Sequence, residues 1–172
     1  MKSNPESSAQ SPKLIWLALF STLASVLIHI YLYTIHLKTL TGLGTENICD
    51  LSKKFNCSAV VTSSFSEVFG IPLALFGVIL NLILLLMLVG HKLFSSSQRD
   101  AATAFWFSIP LLFASIVMGT ISLTMMQVYC PFCILLYCLS LITFLSLWYY
   151  SGVHIFRDFR SFFAGLQKTK VL

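Results

Sequence analysis

Residues 101–150 read AATAFWFSIPLLFASIVMGTISLTMMQVYCPFCILLYCLSLITFLSLWYY, and no Asp, Glu, Lys or Arg interrupts them. The uncharged run extends from Asp100 to Arg157, 56 residues in all. The hydrocarbon core of a bilayer is about 30 Å thick and takes about 20 helical residues to cross. The run is therefore long enough for two crossings if the chain folds back near Val128 to Pro131. Working outward, uncharged stretches of 24 residues separate Lys13 from Lys38 and Glu67 from Lys92. Each fits one crossing. The pattern predicts an all-α membrane protein, a bundle of four transmembrane helices over residues 14–37, 71–90, 101–127 and 130–150.

Composition excludes the alternative of a water-soluble globule. The 172 residues are 57% hydrophobic and 10% charged, with a mean hydropathy of +0.86, whereas a soluble domain carries roughly 25% charged residues. The net charge of +5 sits where a membrane protein places it. The N-terminal tail, the short loop 90–100 and the C-terminal tail hold eight basic and three acidic residues. The loop between the first two crossings holds three of each: Lys38, Lys53 and Lys54 against Glu46, Asp50 and Glu67. By the positive-inside rule both termini are cytoplasmic. Trp16, Trp106 and Trp148 then fall at the cytoplasmic interface, and Tyr31, Tyr33 and Tyr129 toward the outer one, as an aromatic belt requires.

Three regions follow. Residues 1–13, rich in Ser with two prolines, form a disordered cytoplasmic tail. Residues 14–150 form the membrane domain, with an exoplasmic loop over 38–70. Residues 151–172 form a cytoplasmic tail in which Arg157, Arg160, Lys168 and Lys170 alternate with Phe156, Phe159, Phe162 and Phe163. That alternation suits a short amphipathic helix on the inner leaflet and gives no reason to expect a nucleic-acid partner. The first apolar run is longer than the h-region of a signal peptide, so it is read as a retained helix.

Five cysteines carry the chemistry: Cys49, Cys57, Cys130, Cys133 and Cys138. The first four fall at the outer face, where disulfides are permitted. The CPFC sequence opens the fourth helix, with Pro131 at a position the first turn tolerates. Unpaired N–H groups there favour a thiolate, which suits a redox dithiol. Cys49 and Cys57 lie in a loop that follows Gly42 and Gly44 and is read as flexible, able to reach a soluble partner and the CPFC in turn. Two such pairs make an electron relay. Two structural disulfides, or a zinc ion held by four thiolates, are the rival chemistries. Cys138, one turn deeper, is read as a small buried hydrophobe.

The motifs Cys49-Asp50, Asn56-Cys57-Ser58, Ser63-Ser64, Phe69-Gly70-Ile71-Pro72 and Cys130-Pro131-Phe132-Cys133 occur in an order that resembles the vitamin K epoxide reductase family, in particular its bacterial, disulfide-forming members. The resemblance runs from the first helix to the end of the fourth. It implies a four-helix bundle around a quinone, ubiquinone or menaquinone, capped on the outer side by a half-helix over residues 58–69. It also implies catalytic roles for four cysteines. Cys49 forms a mixed disulfide with a thioredoxin-like protein, Cys57 exchanges with Cys130, and Cys133 reduces the quinone. Ser63 and Tyr137 match residues beside the quinone ring. Independently, Cys133 and Tyr137 are four apart and share a helix face.

The activity so implied is that of a quinone-dependent protein-dithiol oxidoreductase in a bacterial inner membrane, making disulfides outside it. No metal is called for. The family's vertebrate asparagine near the start of the second helix aligns with Leu73, which argues against vitamin K epoxide as substrate and leaves an epoxide or quinone reductase as the alternative. A noncatalytic membrane scaffold with stapled loops is the alternative of another class. Since the chain ends at Leu172, with no thioredoxin-like domain before that point, the donor is expected to be a separate protein. His29 and His36 are read as interfacial or helix-bonding residues, and Asn81 as a packing residue that bonds a neighbouring helix, with approach to the cofactor as its alternative.

Overall fold

The computed structural model describes residues 12–42, 48–52, 54–94, 98–126 and 128–152. The expectations for the tails fall almost wholly outside these residues. Four long helices dominate: α1 (Pro12–Leu40), α3 (Leu73–Phe94), α4 (Gln98–Thr124) and α5 (Pro131–Ser151). All four are long and apolar enough to span a bilayer. Between α1 and α3 lie a single turn, α2 (Cys57–Val61), a 3-10 turn (Ser64–Ser66) and a two-stranded hairpin, β1 (Glu67–Val68) and β2 (Ile71–Pro72).

Helix α1 packs against both α3 and α5, α4 packs against α5, and the seam between α3 and α4 is the loosest of the four. Outward faces remain apolar, as lipid requires: Phe20, Leu27, Leu86 and Phe113 are all exposed. Two buried clusters divide the interior. One, at the end that holds the tryptophans, joins Ile15, Ala18, Leu84, Leu88, Phe105 and Leu147. There Phe144 contacts both Phe105 and Trp148, and the Lys92 ammonium lies over the Trp16 ring. The other cluster gathers Leu32, Ile35, Val61 and Leu136 with Cys49, Cys57 and Cys130.

Between helices already surrounded by lipid, apolar surface supplies little net attraction, so close packing and internal hydrogen bonds matter more. Ser21 Oγ and Thr143 Oγ1 lie 2.7 Å apart across α1 and α5. Ser115 Oγ donates to Ser140 Oγ at 2.9 Å across α4 and α5. Other buried hydroxyls satisfy themselves on their own helix, as Thr22 does on the Ala18 carbonyl at 2.7 Å. Asn81 behaves in the same way. Its amide donates to the Gly77 carbonyl at 2.9 Å, and not to a neighbouring helix as the sequence suggested.

The half-helix expected over residues 58–69 is reduced to the five residues of α2. Hydroxyl groups end it. Thr62 Oγ1 donates to the Ser58 carbonyl, Ser63 Oγ to that of Val60, and Ser66 Oγ to those of Val61 and Ser63. Such side chains offer the backbone an alternative to continued helix. Phe69 and Gly70 then turn the hairpin with φ of 55° and 76°, a left-handed conformation no helix can pass through. The pairing of Glu67 with Pro72 and Val68 with Ile71 also explains why α3 starts at Leu73 and not at Ile71.

One close approach fixes α3 against α1. A Cβ added at Gly77 would overlap the His29 ring. The ring cannot swing aside freely, because its Nδ1 lies 2.7 Å from the Ser25 carbonyl. Gly77→Ala is therefore expected to destabilise the protein by about 1–3 kcal/mol through overpacking. A lowered thermal unfolding midpoint in detergent would show it. Adding His29→Ala should recover most of the loss, since the two residues touch.

Candidate active site

The first cysteine pair is set by local capping. Asn56, with extended backbone (φ −145°, ψ 108°), is the N-cap of α2, and its side chain accepts from the Ala59 N–H at 2.8 Å. Asp50 reaches across from the preceding loop. Its carboxylate accepts from the Ser58 N–H at 3.1 Å and from Ser58 Oγ at 2.6 Å. These contacts draw residues 49–50 over the start of α2 and leave the Cys49 and Cys57 Cα atoms 5.7 Å apart, within the span a disulfide bridges. The two residues form that disulfide.

The second pair is set by the start of α5. Cys130 is its N-cap (φ −103°, ψ 114°) and Pro131 occupies the first turn, as expected. The Cys130 sulfur accepts the Cys133 N–H at 3.2 Å. The two sulfur-bearing segments are stitched by backbone. The Tyr129 N–H donates to the Lys54 carbonyl at 2.7 Å, and the Asn56 N–H to the Tyr129 carbonyl at 3.0 Å. Phe55 and Tyr129 form an isolated parallel bridge. The result places Cys130 Sγ 3.3 Å from Cys57 Sγ, although 73 residues separate them in sequence.

This arrangement is tighter than the sequence suggested. In place of a swinging loop, Cys49 is 2% exposed, Cys57 0% and Cys130 1%. Cys138 departs in the opposite direction. It lies on the exposed outer face of α5 and is not a buried hydrophobe.

The Cys130 thiol is held below its ordinary value, chiefly because the Cys133 thiol hydrogen-bonds to it and further because it accepts the N–H groups of Cys133 and Phe132. Burial and the Asp50 carboxylate oppose the shift without reversing it. Cys130 therefore keeps its thiolate at pH values where a free thiol, near about 8.5, is protonated, and loses it as pH falls through the lowered value. The thiolate ultraviolet absorbance that disappears on Cys130→Ala should titrate below that ordinary value. Its midpoint should rise when Cys133→Ala removes the donor.

Behind the sulfurs lies a cavity of about 180 Å³. Leu32, Leu73, Phe76, Leu80, Met118 and Leu136 supply apolar wall, and Cys133, Ser63, Asn81 and Tyr137 supply polar atoms. Cys133 and Tyr137 therefore line one space, from adjacent turns of α5. The Tyr137 ring packs on Gly119, where an added Cβ would stand 3.4 Å away. Its hydroxyl makes no hydrogen bond to any described residue. Ser63 also lines the cavity, but it donates its proton to the Val60 carbonyl at 2.8 Å, so as placed it can only accept. A dry cavity of about 150 Å³ admits one aromatic ring. The space, its apolar walls and the Tyr137 donor fit a quinone head group with a carbonyl to accept that bond.

Metal chemistry fits less well. Cys49, Asp50 and Cys57 bring ligand-type atoms within 4.8 Å of one another, but sulfurs bonded to each other offer no thiolate to a metal. Among functional residues, sequence reasoning missed the Asp50 clamp on Ser58, although Asp50 stands inside the motif that carried the resemblance. The N-cap role of Asn56 was legible in principle, as Asn directly before a helical run.

A buried disulfide touching a thiol of a second pair, mounted on four membrane-spanning helices, has the build of a membrane thiol–disulfide oxidoreductase. The comparison with protein families agrees. The profile of the vitamin K epoxide reductase family matches residues 15–148, more than three quarters of the chain, and the chain belongs to that family. Its members are oxidoreductases that in general use quinone-type substrates. No curated protein sequence matches the chain significantly.

Proposed function

We propose that this protein oxidises a reduced thioredoxin-like partner on the non-cytoplasmic side of a bacterial inner membrane and delivers the electrons to a membrane quinone. The observation that carries the reading is the 3.3 Å contact between Cys57 Sγ, engaged with Cys49, and Cys130 Sγ, whose partner Cys133 lines the apolar cavity. The charge balance of tails and loops supports cytoplasmic termini.

Each transfer is an exchange through a mixed disulfide. A donor thiolate attacks Cys49, and Cys57 leaves as a thiolate. The donor's second thiolate then attacks its own mixed disulfide and frees Cys49. With Cys130 and Cys133 oxidised, Cys57 attacks Cys130 and Cys133 leaves as a thiolate facing the cavity. Cys49 next attacks Cys57 and releases Cys130, whose lowered pKa makes it a good leaving group. The described state, a Cys49–Cys57 disulfide with Cys130 and Cys133 free, follows that step. A quinone supplies a two-electron, two-proton acceptor. Cys133 closes on Cys130 as it gives up its electron pair, Tyr137 orients a carbonyl by hydrogen bond, and the apolar walls exclude water. Overall a dithiol and a quinone become a disulfide and a quinol.

The test is reconstitution in lipid nanodiscs with a reduced thioredoxin-like donor and a short-tailed ubiquinone or menaquinone analogue. One quinol should form per donor disulfide. Donor oxidation without quinol, or no electron transfer at all, would remove the proposal. Product analysis with vitamin K epoxide in place of the quinone separates the related reductase activity.

A further inference from the structure

His36 is 1% exposed, stands near the end of α1 and lines the same cavity. Its ring reaches two separate pieces of the cap, residues 57–72. Nδ1 lies 2.7 Å from the Val61 carbonyl at the end of α2, and Nε2 lies 3.5 Å from Glu67 Oε1 in β1. A carbonyl can only accept, so Nδ1 carries a hydrogen and donates it. Val60, Val61, Ser63, Phe65 and Ser66 of the cap form one wall of the cavity. Cys57 opens the single turn whose last residue is Val61. We infer that His36 is a positioning residue: by holding α2 and β1 to α1 it fixes the cavity wall and sets Cys57 against Cys130.

The geometry gives the role a definite form. The Val61 carbonyl also accepts Ser66 Oγ at 2.6 Å, but that bond joins two parts of the cap to each other. The bonds from His36 join the cap to the membrane bundle. Without them α2 and the hairpin are still attached through Cys57 and β2, yet the wall between is free to lift. A protein whose binding-competent state is only partly populated binds its ligand more weakly in proportion, and saturating ligand restores the competent state. Loosening the cap should accordingly raise KM for the quinone more than it lowers kcat.

The inference rests on the proposed quinone reduction for its kinetic arm, while hydrogen–deuterium exchange tests it without a quinone. In nanodiscs, with a reduced thioredoxin-like donor at a fixed saturating concentration as reductant and a short-tailed ubiquinone analogue as acceptor, His36→Ala should raise the quinone KM about tenfold and change kcat by less than about threefold. Backbone amides of residues 59–61 should exchange about tenfold faster. His36→Asn, whose amide can donate from the Nδ1 position, should return both readouts to within about threefold of the original protein. Glu67→Gln should also stay within about threefold, because an amide can meet Nε2 as donor or as acceptor.

Should His36→Ala fail to fold, His36→Gln, which moves the donor away from Val61, carries the same expectation. Unchanged KM and unchanged amide exchange would overturn the inference. So would Glu67→Gln as impaired as His36→Ala, since the residue would then act through charge and not position. If the unmodified protein reduces no quinone, the proposed function fails, and the exchange measurement still decides whether His36 holds the cap.

Discussion

Cys133→Ala is expected to lower quinol formation about a thousandfold or more, because it removes the cysteine sulfur that lines the cavity. The protein should still fold and insert, since Cys133 is only partly buried at the edge of its cluster and alanine keeps the Cβ. The Cys49–Cys57 disulfide should still form. Cys130 now has no partner on its own helix, and its only sulfur contact is Cys57, 3.3 Å away. By attacking Cys57 it displaces Cys49 as a thiolate, so a Cys57–Cys130 cross-link should accumulate at the expense of the Cys49–Cys57 bond, visible by mass spectrometry of non-reduced peptides. Cys138→Ala serves as the control. Its thiol lies on the outward face of α5, and activity should be retained. Equal losses for both variants would mean that neither acts as assigned and that the cysteines are structural.

Cys57→Ala is expected to stop turnover to a similar extent and to capture the donor. With the resolving thiol absent, Cys49 has no neighbour able to expel a bound partner. A donor variant with a single cysteine, loaded as a mixed disulfide with thionitrobenzoate, should be attacked by the Cys49 thiolate, release thionitrobenzoate and remain attached through one sulfur. Peptide mapping of the adduct should place it on Cys49. An adduct on Cys130 or Cys138 would break the assigned order of the relay. The Asp50 carboxylate bonds Ser58 and not a cysteine, so the cap turn should persist in this variant, and circular dichroism should show no loss of helix.

The four spans were legible because charge is so costly in lipid that its absence over 24 or 56 residues marks them directly. The Cys133–Tyr137 face was legible from helical spacing alone. The region between α1 and α3 was not. A run of Ser and Thr supports a helix by family likeness, yet its hydroxyls compete for the same carbonyls, and the outcome depends on where Glu67 and Pro72 pair. Burial of Cys49 depends on Asp50 meeting Ser58. Capture of the Val61 carbonyl depends on His36, 25 residues earlier. Long-range contacts of this kind leave no periodic signal. The outward orientation of Cys138 is likewise set by which face of α5 meets α1 and α4, and both faces of that helix are apolar.

Sealing the Cys49–Cys57 bond inside the cap has a further consequence. A wire whose inlet is insulated does not leak: small reductants dissolved around the membrane cannot easily strike sulfurs that are 2% and 0% exposed. Under the proposed function, a partner protein that binds there and draws residues 48–52 aside would gain admission. The fold would thus restrict the circuit to its intended client and spare the quinone pool from idle discharge.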